Sequence, residues 1–247
     1  DPVHDAEALE ELRQSGKVWT QIDAFDGQLD EWLETRTVGG GDAVALRAEL
    51  LGGRTAETAG VWVHYPWSGV LVRILPRHAF RELRFDRNRD KITREEQHTL
   101  QGACIGIVGL SVGNAVALTM AQEGVGGTLR LADFDTLSTS NLNRVRAPIH
   151  PVGLLKTQVA ARQIAEVDPF VQVECFPAGL DAQNLGSFLE GLDLVVDECD
   201  GLAMKVSLRR EARRRGLPLV METSDRGMLD VERYDLEHDL PFMHGLL

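Results

Sequence analysis

The chain has 247 residues, 43% hydrophobic and 26% charged, which fits a packed core and excludes a disordered chain. Its net charge of -12 repels polyanions, so nucleic acid is excluded as the main partner. The three cysteines, at 104, 175 and 199, lack CxxC spacing, and no apolar run reaches the roughly 20 residues of a membrane span. A disulfide framework, a zinc site and a membrane partner are thereby excluded, and a reducing, cytoplasmic compartment is expected.

Residues 1–82 read as a small α+β domain. Ala8, Leu9 and Leu12, then Ile22, Phe25, Leu29, Trp32 and Leu33, recur at helical spacing and predict two short amphipathic helices. Ala43 to Leu51 predicts a third, stopped by Gly52 and Gly53. Alternation at Val61, Val63 and Tyr65, a turn over 66–69 and an apolar run over 70–75 predict a β-hairpin. Its Trp62 and Trp67 serve either packing or a recognition surface. Residues 81–91 read as a charged, solvated linker, and Thr93 to Glu96 has capping-box spacing at the start of a short helix.

From residue 83 a second domain is expected, and from Ala103 it alternates strand and helix. Strands are predicted over 103–108, 128–132, 171–176, 193–197 and 217–221, with helices from the turn at 109–114 to Gly124 and over 154–166, 184–189 and 202–215. Residues 229–235 alternate as an edge strand would, and the arginine-rich run Arg209–Arg215 reads as a solvated helix end. The fold class is α/β, a doubly wound, mostly parallel, Rossmann-like sheet. Ligands of such sheets sit beyond the carboxyl ends of the strands, where Gly109, Asp133 and Asp200 all fall. The chain begins at Asp1, not Met, and ends at Leu247 with no element resolved over 241–247, which predicts a fragment or processed form.

The turn GLSVGN at 109–114 keeps only the first glycine of a GxGxxG fingerprint; Ser111 and Asn114 stand where glycines would, and Gly113 falls one place early. Asp133, at the end of the next strand, suits ribose hydroxyls. Asn141, Arg144 and Lys156 add polar and cationic groups, as transfer chemistry on phosphates requires. Asp200 offers a hard oxygen to Mg²⁺.

These residues resemble the adenylating domain of ThiF, MoeB and the ubiquitin-activating enzymes. The match rests on DFD at 133–135, SNLNR at 140–144, Lys156 opening its helix, DECD at 197–200 and RFDR at 84–87, and covers about 84–235. The resemblance implies that Gly109, Ser111, Gly113, Asp133, Asp135 and Asn141 bind ATP, with Asp133 on the ribose. Asn141, Arg144 and Lys156 would hold the triphosphate and Asp200 would coordinate Mg²⁺. Arg87 would reach the ATP of a second copy in a homodimer. The implied reaction is adenylation of the C-terminal carboxylate of a ubiquitin-like, sulfur-carrier or peptide substrate. The family's zinc-binding CxxC is replaced near 241 by PFMH, so no zinc is expected. Cys199, between Glu198 and Asp200, is expected to be structural, because carboxylates disfavour a thiolate. The turn and the DRNRDK segment at 86–91 resemble an actinobacterial branch whose adenylating domain precedes a nitroreductase-like flavin domain. Two other readings stand beside this one: a catalytically silent ThiF-like scaffold, and an NAD(P)-dependent oxidoreductase.

Overall fold

A computed structural model describes residues 2–3, 6–223 and 227–245. The chain divides into two compact units, Asp1–Thr93 and Arg94–Leu247.

In the first unit the element order is β1 (Pro2–Val3), α1 (Ala6–Gln14), β2 (Thr20–Asp23), α2 (Phe25–Thr37), α3 (Ala43–Leu51), β3 (Val61–Tyr65), β4 (Val70–Ile74) and α4 (Arg77–Arg84). The hairpin β3–β4 forms as its alternation predicts, in a sheet of order β1-β3-β4-β2. Ile22 is not helical: it lies in β2, paired in parallel with β4. All four residues of β2 are exposed, so no apolar alternation marks this strand and its backbone pairing alone defines it. The segment 81–91 is not a linker either. Helix α4 runs into a 3-10 turn over Asp86–Asp90, with Ala79 and Phe85 buried beneath their charged neighbours. Phe25, Leu29, Trp32, Leu75 and Ala79 form the core of this unit. Trp62 and Trp67 are half-buried, and the Arg13 guanidinium lies 4.9 Å from the Trp62 ring centroid.

The second unit comprises α5 (Arg94–Gly102), β5 (Cys104–Val108), α6 (Gly113–Glu123), β6 (Thr128–Ala132), α7 (Lys156–Val167), β7 (Gln172–Phe176), α8 (Leu185–Leu189), β8 (Leu194–Asp197), α9 (Leu202–Arg215), β9 (Leu219–Thr223) and β10 (Met228–Glu232). The sheet order is β10-β9-β8-β5-β6-β7, parallel except for antiparallel β10. Its central strands β5, β6 and β8 are short, mainly apolar runs, as expected where both faces of a sheet are covered. One core joins Ile105, Ile107, Leu118, Ala160 and Ile164; the other joins Val195, Phe188, Leu208, Ala212 and Tyr234. Burying each large apolar side chain contributes about 1.5–3 kcal/mol. From β5 the chain winds outward to β6 and β7, then returns to β8 on the other side of β5. The switch point therefore lies between β5 and β8, where the loops at their carboxyl ends open a crevice.

Arg209 departs from the solvated helix end expected of its run. It is fully buried, because β10 brings Asp230 and Glu232 beneath α9.

Candidate active site

The glycine turn is built by close packing. Gly109 has φ +88°, and a Cβ there would lie 2.4 Å from the Glu198 carbonyl oxygen, in the loop leaving β8. Only glycine accepts both the left-handed backbone and that approach. A Cβ is also missing at Gly113, where it would meet Ile107 Cγ2 at 2.8 Å. Asn114 faces away from the turn: buried, it donates through Nδ2 to Gln163 Oε1 of α7 at 2.9 Å. Its position thus serves helix packing. Among the described residues, the N–H groups of Ser111, Val112 and Gly113 donate to no other group. Free donors at the start of a helix favour an anion.

Asp133, just past β6, is nearly buried and acts as a strut. Its Oδ2 accepts from the Leu110 N–H and its Oδ1 from the Asp135 N–H, each at 2.7 Å. Lys156 opens α7 beneath the turn with a side chain only 6% exposed. Its Nζ donates to Asp135 Oδ2 at 2.8 Å and Ser111 Oγ at 3.0 Å, and lies 3.9 Å from Asp133 Oδ2. A Thr136–Leu155 bridge and the Lys156 N–H to Asp135 carbonyl bond hold the helix start against the exit of β6. Phe134, between the two acids, is 72% exposed.

The structure therefore brings Gly109, Ser111, Asp133, Asp135 and Lys156 into one bonded group, with the loop carrying Asp200 packed on Gly109. Asn141 and Arg144 lie on the following crossover and bond locally. The Ser138 N–H donates to Asn141 Oδ1 at 3.0 Å in a capping box, and exposed Arg144 donates to Ser140 O and Asn143 Oδ1. Arg87 belongs to the other unit, in its 3-10 turn, and is exposed. Asp200 is exposed, and its carboxylate has no partner among the described residues.

Two acids of the same segment, named in the DECD match but given no role at the site by sequence reading, bear on Asp200. Glu198 is half-buried and its Oε1 accepts from the Glu222 N–H at 3.1 Å. Burial, aided by the charges of Glu222 and Asp197 and opposed by that N–H and by Lys205, pushes its carboxyl up to about 7. Asp197 is fully buried and accepts from Arg209 Nη1 at 2.6 Å, Lys205 Nζ at 3.3 Å and the Cys199 N–H at 3.2 Å. Burial, then the charge of Asp197, pushes the Cys199 thiol up to about 12, so it stays protonated.

The chemistry of these residues, open N–H donors on the turn and a buried ammonium bonded to Ser111, fits a nucleotide triphosphate. They also fit a magnesium ion carried by the nucleotide. No group of three or more His, Cys, Asp or Glu is placed to hold a metal among the described residues, so Asp200 would act as a lone carboxylate ligand, completed by phosphate oxygens and water.

A model described as the ThiF family matches residues 85–228, more than half of the chain. The chain belongs to the ThiF family. It is 52% identical over 191 residues to an uncharacterized Mycobacterium tuberculosis protein, MT1398, covering 77% of this chain and 27% of that protein. It is 29% identical over 155 residues to the tRNA threonylcarbamoyladenosine dehydratase of Bacillus subtilis, covering 62% of this chain and 61% of that protein. With the molybdopterin-synthase adenylyltransferase of Haemophilus influenzae, identity is 30% over 171 residues, 67% of this chain and 69% of that protein. Among solved structures, the ATP complex of the Escherichia coli dehydratase TcdA is similar at 28% identity and a TM-score of 0.56, covering 60% of this chain and 62% of that one. The Rossmann-like sheet is thus the ThiF-family sheet. No helix of the described residues is long and apolar enough to cross a membrane.

Proposed function

We propose that the chain is an ATP-dependent adenylating enzyme acting on the C-terminal carboxylate of a ubiquitin-like, sulfur-carrier or peptide substrate, in the cytoplasm and as a homodimer. The observation that carries this reading is the Lys156 ammonium, buried and bonded to Asp135 and to Ser111 of the glycine turn. That is a charge placed for phosphate, with no need in hydride transfer. Likeness to a protein solved with ATP and to a named adenylyltransferase supports it.

In this reading the ribose lies on Asp133 and Asp135, and the base lies against exposed Phe134. The triphosphate meets the N–H groups of 111–113, Lys156, Asn141 and Arg144, with Arg87 supplied by the second copy. Magnesium, held by Asp200, would neutralise charge on the phosphates. A carboxylate oxygen attacks the α-phosphorus while the bond from that phosphorus to the bridging oxygen of the β-phosphate breaks. The products are an acyl-adenylate and pyrophosphate. The cations stabilise charge moving onto the leaving pyrophosphate, and their fixed positions do most of the catalytic work. What lies beyond this chain, a flavin domain included, would set the fate of the adenylate.

The test is ATP–pyrophosphate exchange with a sulfur-carrier protein, a ubiquitin-like protein and short peptides, each with a free C-terminus. Exchange with at least one, together with a higher melting temperature in ATP, is expected. Neither effect with any of them would leave the scaffold reading standing, and stabilisation by NAD but not ATP would favour an oxidoreductase. The dehydratase relatives favour a second reading, a nucleoside of tRNA as substrate. The charge of -12 opposes it, and tRNA retained at physiological salt would revive it.

A further inference from the structure

Among the described residues the Asp200 side chain has no bonding partner, so its position is inherited from the loop it rides on. That loop begins at Asp197. The Glu198 N–H donates to Val108 O at 2.7 Å, and the Cys199 N–H donates to Asp197 Oδ1 at 3.2 Å. The carboxylate that caps the loop is in turn oriented from behind. Arg209 Nη1 holds Asp197 Oδ2 at 2.6 Å, so that Oδ1 faces the Cys199 N–H of the loop and Lys205 Nζ of α9. Arg209 is ion-paired on its other side: Nε lies 2.6 Å from Glu232 Oε2, outside hydrogen-bond geometry, and Nη2 lies 3.5 Å from Asp230 Oδ2. Those two acids are also engaged. Glu232 Oε1 accepts from Tyr234 Oη at 2.8 Å and from the Met243 N–H at 2.7 Å, and Asp230 Oδ1 faces His244 Nε2 at 2.7 Å. Each side of the guanidinium fork thus meets a carboxylate, a geometry that the single ammonium of lysine does not reproduce.

We propose that Arg209 is a positioning residue for Asp200, acting through Asp197 and anchored by Asp230 and Glu232 of β10. The inference rests on the reading of Asp200 as the magnesium ligand. A buried arginine serving only to stabilise the sheet would need no partner at the start of the metal-bearing loop. Here one end of the fork sets that loop and the other is fixed by the sheet edge.

The test is ATP affinity by titration calorimetry, with Mg²⁺ and with EDTA, on the 247-residue chain and its Arg209→Lys, Asp200→Ala and doubly substituted variants. Magnesium should strengthen ATP binding in the parent and not in Asp200→Ala. Absence of that pattern removes the Asp200 reading, and the inference with it. Where the pattern holds, Arg209→Lys should lower the magnesium enhancement about tenfold and leave metal-free ATP affinity unchanged, and Asp200→Ala should mask the effect in the double variant. An unchanged enhancement, or equal weakening with and without Mg²⁺, overturns the proposal. If Arg209→Lys does not fold, Arg209→Met with Glu232→Met removes one charge of each sign and is titrated in the same way. Failure of both to fold assigns Arg209 to stability alone and likewise overturns it.

Discussion

Lys156 and Asp135 form a salt bridge of 2.8 Å across the two segments that frame the glycine turn, with the lysine side chain buried and the aspartate half-exposed. The lysine also donates to Ser111 Oγ, on the turn whose N–H groups are open among the described residues. Lys156→Met should therefore weaken ATP binding about 10–100-fold, the loss of one charge-assisted hydrogen bond of about 1.5–3 kcal/mol. Calorimetry on folded protein checks this. Unchanged affinity would remove Lys156 from the triphosphate site.

Asp200→Ala should separate activity from stability. The side chain is exposed and without a partner among the described residues, so the melting temperature should stay within a degree or two. Exchange of pyrophosphate into ATP should fall roughly 10²–10³-fold. Near-parental exchange would exclude Asp200 from the reaction.

The contrast between these two residues shows what sequence alone makes legible. The central strands β5, β6 and β8 read clearly because each is mainly apolar and is followed or closed by Gly109, Asp133 or Asp197, which puts Gly109, Asp133 and Asp200 at strand carboxyl ends. Sequence marks Asp133 as a ribose ligand, while its support of the turn is visible only in the fold, since its N–H partners are backbone. Arg209 was misread because the acids that bury it lie more than 20 residues downstream, on a strand whose pairing the arginine run does not encode. Strand β2 escaped notice because its side chains are all exposed, and α4 because arginines fringe the few residues that it buries. Contacts over long sequence separations are where pattern reading fails here.

Glu198 gives a pH signature. Its carboxyl titrates at about 7 in the folded chain against about 4.5 when unfolded, so the native state holds an extra proton between those values. Its contribution is fully present below pH 4.5 and is lost as pH rises through 7. Glu198→Gln should flatten the pH dependence of stability over that window, raising stability at pH 8 relative to pH 5 by about 1 kcal/mol after allowance for solvent screening of a half-exposed group. Urea unfolding at both pH values measures it, and parallel curves for parent and variant would refute it.

Gly109→Ala combines a left-handed backbone with a Cβ against the Glu198 carbonyl. The two together should cost about 2–4 kcal/mol. Thermal unfolding reads this, and a variant as stable as the parent would show that the β8 loop yields.

Arg87→Ala and Asp200→Ala, each inactive alone, should complement when mixed and allowed to exchange subunits. If Arg87 serves the second copy, half of the dimers carry one intact site of two, and activity should return to about a quarter of the parental value. No recovery would place Arg87 within its own chain or outside the reaction.

The last strand carries one more consequence. In β10 the acids Asp230 and Glu232 point inward, while Leu229 and Val231 on the opposite face are exposed, the reverse of what hydrophobicity alone would select. Sliding this strand by one residue would turn Leu229 and Val231 inward and free both acids, and an unaccompanied sheet edge would gain by it. The slide would also strand the Arg209 guanidinium in the interior without two of its counter-ions, a penalty of several kcal/mol. One arginine on α9 thus selects the alignment of a strand that the greasy pattern would misalign, and it keeps the outermost edge of the sheet in a single arrangement.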